Sequence, residues 1–149
     1  MEVVNATLKH LDLLAPLFNL YREFYGKKDD AENSYLFIKE RLEKKDSIIL
    51  LAINDVGYCI GFMQIFPSLS SLSTSNIWVL NDLYVVSEHR GLGVARMLMN
   101  ELNCLAIMNK VSSIILETDK TNRVAQGIYE SLGYTRETMM YHYRLNLND

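Results

Sequence analysis

Residues 80–95, Leu-Asn-Asp-Leu-Tyr-Val-Val-Ser-Glu-His-Arg-Gly-Leu-Gly-Val-Ala, carry the groups with the clearest chemical use. The apolar run from Leu80 to Val86 reads as a buried strand, and a short glycine-bearing loop follows. A helix then opens with Val94, Met97, Leu98, Leu102 and Leu105 at helical spacing. The first amides of a helix have no partner inside it. The N–H groups of Gly91, Leu92, Gly93, Val94 and Ala95 can therefore converge on a pyrophosphate, helped by the helix dipole. At Gly91 and Gly93 a β-carbon would crowd an oxygen packed against the main chain. Asp82 stands apart within its strand, because a carboxylate there is costly unless satisfied. It is a candidate base or ammonium-binding group.

A second constellation runs from Asn122 to Tyr134, Asn-Arg-Val-Ala-Gln-Gly-Ile-Tyr-Glu-Ser-Leu-Gly-Tyr. Read alone, it is a capped helix with Val124, Ala125, Ile128 and Leu132 turned inward. Taken with the first stretch it says more. Arg90-x-x-Gly93-x-Ala95 resembles the Arg/Gln-x-x-Gly-x-Gly/Ala signature of the GNAT superfamily of acetyl-CoA-dependent N-acetyltransferases. Asn122, Ala125, Tyr129 and Leu132-Gly133-Tyr134 resemble a later motif of the same superfamily, in the same order. Neither a Walker loop nor a dinucleotide fingerprint fits, since no Gly-Lys-Ser/Thr and no third glycine follow.

The resemblance implies a single domain over residues 1–149 in the α/β class, with a mixed, mostly antiparallel sheet splayed in the middle and flanked by helices. It implies acetyl-CoA as co-substrate, its pantetheine arm lying where two strands diverge, bonded by Leu83, Tyr84 and Val85 as if by a neighbouring strand. Leu83 or Tyr84 would also hold the thioester oxygen. Arg90 and the loop amides would hold the phosphates, with Asn122 and Tyr129 completing the coenzyme site. Tyr129 stands at the position of the general acid, and a phenol stays protonated at neutral pH and can donate to a departing thiolate. Glu117 lies twelve residues before Tyr129, as the acid–base pair does in ribosomal-protein N-terminal acetyltransferases of this superfamily. It is the first candidate for deprotonating the amine, and Asp82 is the second. Polyamine acetyltransferases carry Glu-Asp where this chain has Asn81-Asp82, and Asn81 cannot act as a base. Acceptor determinants are expected within residues 21–35 and 68–76, and a homodimer is expected through the last strand, as in the yeast histone and polyamine acetyltransferase subgroup. A non-catalytic acyl-CoA-binding or regulatory module on the same scaffold is the alternative.

Positioning these groups falls to an ordinary globular chain. Its 149 residues are 49% hydrophobic and 22% charged, enough for one sizeable core. A formal charge of −3 gives no electrostatic reason to bind nucleic acid or an anionic membrane. Cys59 and Cys104 lack the spacing of a zinc site or a disulfide framework and read as reduced, partly buried residues, and no metal site is expected. With no basic-then-apolar leader and no span-length apolar run, a cytoplasmic protein is expected. The predicted order is a strand at 2–7, helices at 11–25 and 31–44, and a hairpin of 47–53 with 58–66 about Asn54-Asp55-Val56-Gly57. Pro67 is expected to end that hairpin, leaving a serine-rich loop over 68–75. Strands at 76–86 and 113–117 flank the helix from 91, Thr121 caps a helix from 122, and 138–147 alternates as a closing strand.

Overall fold

A computed structural model describes residues 1–148 of the chain. Residues 1–117 form one compact unit, and the chain from Thr118 forms a second. The first unit is built on a five-stranded sheet in sequence order: β1 (Glu2–Asn5), β2 (Ile48–Ile53), β3 (Cys59–Ser70), β4 (Ser75–Val85) and β5 (Ser113–Leu116). The first four pair antiparallel, and β4 with β5 pairs parallel. A parallel connection requires a crossover, which is the helix α3 (Val94–Met108).

Period-two alternation sends the two sides of β2 to different layers. Ile49 and Leu51 join Phe62 beneath α1 (Leu11–Phe24) and α2 (Ala31–Lys44), in a core with Leu11, Leu14, Leu17, Phe18, Ile38 and Leu42. On α3 the buried stripe is Val94, Leu98, Met99, Leu102 and Ala106, the helical repeat expected of a face turned to the sheet. The helix α2 ends where predicted, but its inward residues are Ser34, Ile38 and Leu42, while Tyr35 is exposed. The Ser34 hydroxyl donates to Asn19, which makes its burial tolerable.

Other sequence expectations are corrected as well. Pro67 does not end β3, which runs on to Ser70 opposite Ser75, so the serine-rich stretch is mostly hairpin strand around a turn at 71–74. By Pro67 the strand has passed the last β2 pair, Ile48 with Ile65, and an edge without a second neighbour tolerates the missing N–H. Cys104 is exposed rather than partly buried. Cys59 is partly covered, and burial pushes its thiol up to about 11.

The second unit contains α4 (Arg123–Ser131). Its cap is Asn122, whose side chain accepts from the Ala125 N–H at 3.2 Å, whereas Thr121 donates to Asp119. The closing strand expected over 138–147 is not found: no strand or bridge forms there among the described residues. A strand is held by a neighbour's backbone, and the alternating pattern alone supplies none. Met139, Tyr141, Tyr143, Leu145 and Leu147 are consequently exposed. No helix among the described residues is long and apolar enough to cross a membrane.

Candidate active site

The feature that organises the site is a bulge in β4. Gln64 pairs with Asp82, but Ile65 pairs with Leu80, so Asn81 is an extra residue with no partner across the ladder. Parallel pairing with β5 stops at Leu80 opposite Leu116, one residue earlier. Beyond it, β3 is the one strand paired with β4 among the described residues. The Val86 N–H donates to Ile60 O at 3.0 Å, and the pairing therefore turns Tyr84 toward β3. By the same alternation the main-chain groups of Leu83 and Val85 face the open side.

The loop that follows is shaped by two glycines. Gly91 and Gly93 take φ of 78° and 82°, left-handed values that favour glycine, and Gly93 is the N-cap residue of α3. A β-carbon built on either would meet no protein atom within 4 Å, so both glycines open onto free space. Gly91, Leu92 and Gly93 are exposed, while Val94, 2% exposed, anchors the helix start beneath the sheet. The first-turn amides of α3, those of Val94 and Ala95 among them, lack intrahelical partners by geometry and carry the positive end of the helix dipole.

Arg90 turns back toward β4 in this structure. Its Nε donates to Val85 O at 2.9 Å, and its guanidinium carbon lies 4.9 Å from the ring centre of Phe24 and 5.5 Å from that of Tyr84. These rings belong to an aromatic cluster with Phe18, Tyr21, Tyr25 and Phe62. Sequence patterning places Tyr21 and Tyr25 within the helix expected over 11–25 but gives no sign that Tyr21 meets Tyr84 beside the loop. Trp78, another aromatic of β4, is buried in the sheet.

Asp82 is only 5% exposed, on the α1 side of the sheet. Its Oδ1 accepts from the Tyr21 hydroxyl at 2.7 Å and from Asn81 Nδ2 at 3.0 Å, and its Oδ2 accepts from Gln64 Nε2 at 2.6 Å. Hydrogen bonds to a charged group are worth about 1.5–3 kcal/mol each. Three of them offset a desolvation cost of several kcal/mol for a buried ion. Burial and the neighbouring Asp82 push the Tyr21 phenol well above its ordinary value, so it remains a donor. Gln64, which the sequence did not single out, is fixed in turn by the Ser47 hydroxyl at 2.8 Å.

Glu117 is exposed and follows directly on the last residue of β5. In the second unit, Asn122 caps α4 as described, and Tyr129 is half-buried with its ring 6.0 Å from that of Tyr134. Burial, with a smaller contribution from Tyr129, pushes the Tyr134 phenol up to about 12.

The strand bulge, the end of pairing with a parallel neighbour and the glycine-bearing helix start are the features on which comparison with known proteins bears. Residues 14–134 match the Acetyltransferase (GNAT) family, and the chain belongs to that family. It is 39% identical over 147 residues to the uncharacterized N-acetyltransferase YhfO of Bacillus subtilis, covering 99% of this chain and 98% of that one. A crystal structure of a probable acetyltransferase superposes with a TM-score of 0.94 at 43% identity, covering 100% of this chain and 99% of the other. The D-amino-acid N-acetyltransferase HPA3 of Saccharomyces cerevisiae is 29% identical over 87 residues, 58% of this chain and 54% of the relative.

Proposed function

We propose that the chain transfers an acetyl group from acetyl-CoA to a primary amine, by direct attack with both substrates bound and with residues 1–149 acting as one catalytic domain. The observation that carries this reading is the main-chain edge of Leu83 and Val85 that faces away from β3, met at Val85 O by the Arg90 side chain, running into the exposed loop of Gly91 to Gly93 and the first amides of α3, in a member of an acetyltransferase family. The two glycines leave open space where side chains would intrude, which suits a diphosphate lying against the main chain. Acetyl-CoA supplies an activated acetyl thioester.

In this reading Leu83, Tyr84 and Val85 provide the strand along which the pantetheine arm lies, Leu83 and Val85 bonding it through their open-side groups. The Leu83 N–H is the better placed of the expected donors to the thioester oxygen, because Tyr84 faces β3. Arg90 leaves Val85 O for a phosphate, and Gly91, Leu92, Gly93, Val94 and Ala95 hold the diphosphate through their amides. Asn122 and Tyr129 complete the coenzyme site from the family motif, with Tyr129 donating the proton to the leaving sulfur. Glu117 accepts the proton of the incoming ammonium, directly or through water. Asp82 is the poorer base, since both of its oxygens already accept hydrogen bonds inside the protein. Phe24 and Tyr25, exposed at the end of α1, lie within the segment expected to select the acceptor.

The test is release of free CoA from acetyl-CoA across a panel of small amines, amino acids, peptides and aminoglycosides. At least one amine should accelerate release, and a flat response across the panel would refute amine transfer. Glu117→Gln should lower kcat/KM about 10–100-fold at neutral pH. An alkylammonium titrates near 10.4, so raising the pH supplies free amine without a base. The deficit should therefore shrink toward pH 9.5, and a pH-independent deficit would remove Glu117 as the base.

Two free cysteines accord with a reducing, cytoplasmic location, which we also propose. A homodimer is proposed because the exposed alternating side chains Met139, Tyr141, Tyr143, Leu145 and Leu147 form a strand pattern that a second copy can pair with and cover. Truncation after Glu137 should convert a sedimenting dimer to monomer, and a monomeric full-length chain would exclude it.

A further inference from the structure

Among the described residues Asp82 is the one buried acidic or basic side chain, and its hydrogen bonds concentrate on the bulge. Gln64 and Asp82 are paired across the ladder at the register shift itself, and their side chains are joined at 2.6 Å. The Ser47 hydroxyl orients the Gln64 amide by donating to its Oε1, which leaves Nε2 to face the carboxylate. Tyr21 then ties Asp82 to α1, and Asn81, the extra residue, donates to the same carboxylate.

Loss of the bulge would restore a regular ladder by sliding β4 one residue against β3. A one-residue slip turns every following residue over. Leu83 and Val85 would then direct their main-chain groups at β3, and Asp82 would leave the face that holds Gln64 and Tyr21. The carboxylate is satisfied only in the bulged register. We infer that Asp82 and Gln64 are positioning residues, a side-chain lock on the bulge that keeps the amides and carbonyls of Leu83 and Val85 turned outward to receive the coenzyme arm.

This inference rests on the coenzyme reading above, and its test separates the two. Acetyl-CoA affinity is measured by calorimetry, and steady-state constants across pH, for wild type, Asp82→Asn, Gln64→Glu and the double exchange. Asp82→Asn sets an amide against the Gln64 amide, so affinity for acetyl-CoA should fall about tenfold or more, with kcat within about threefold and an unchanged pH profile. The double exchange moves the carboxylate to β3 and the amide to β4. Ser47 and the new amide at position 82 then donate to the carboxylate, and Tyr21 donates to the new amide oxygen. Affinity should return to within about threefold of wild type.

Unchanged affinity in Asp82→Asn overturns the lock. So does a collapse of kcat with a shifted acidic limb and no recovery in the double exchange, which would make Asp82 the base. Should Asp82→Asn fail to fold, the comparison of Gln64→Glu with the double exchange decides, because only the lock predicts that the second change rescues the first. Wild type that binds no acetyl-CoA defeats the coenzyme reading itself.

Discussion

Replacing Tyr129 with phenylalanine is expected to lower kcat about 10²- to 10³-fold while the KM for acetyl-CoA moves little. General acid–base groups contribute about 10²–10⁴-fold, and the substitution removes only the hydroxyl. The ring stays beside Tyr134, whose centroid lies 6.0 Å away, so packing within the second unit should survive. A loss confined to kcat is the signature of an interaction made only in the transition state. Stopped assays of thiol release with the best acceptor amine check it. A variant with full turnover would return Tyr129 to an ordinary packing role.

Gly93→Val should have the opposite profile, weakening acetyl-CoA binding at least about 100-fold while the protein stays folded. Two effects combine. The φ of 82° is strained for a β-branched residue, by about 1–3 kcal/mol, and relieving the strain tilts the first turn of α3. The new side chain also enters the open space in front of the loop, where nothing of the protein lies within 4 Å of the β-carbon. Gly93 is exposed and contributes nothing to the core, so thermal unfolding should shift only by what the backbone strain costs, about 2–12 °C. Calorimetric titration beside a melting curve separates lost binding from lost fold, and unaltered affinity would show that the diphosphate is held elsewhere.

The contrast between what was legible in the sequence and what was not follows physical range. Helix and strand positions up to Leu116 came from local periodicity, and the loop of Gly91 to Ala95 from turn chemistry, because each depends on neighbours a few residues away. The family motifs added the likeness of Asn122 to Tyr134. Pro67 misled because its effect depends on whether a second strand lies alongside, which local sequence does not record. The tail over 138–147 has the alternation of a strand, yet no strand forms there among the described residues, because alternation alone does not supply a neighbouring backbone. Asp82 was conspicuous as a charge among apolar residues, yet its partners Tyr21 and Gln64 lie 61 and 18 positions away. Only the bulge at Asn81, a property of two strands together, explains why those three side chains meet.

The central claim is that the open edge of β4 and the loop after it form one continuous coenzyme seat. The measurement that bears on it most directly is backbone amide NMR of the wild-type chain titrated with acetyl-CoA. The account predicts saturable shifts at Gly91, Gly93, Val94 and Ala95 together with Leu83 and Val85. Saturation that leaves those amides unmoved while others shift, or no shift anywhere at millimolar coenzyme, would contradict it.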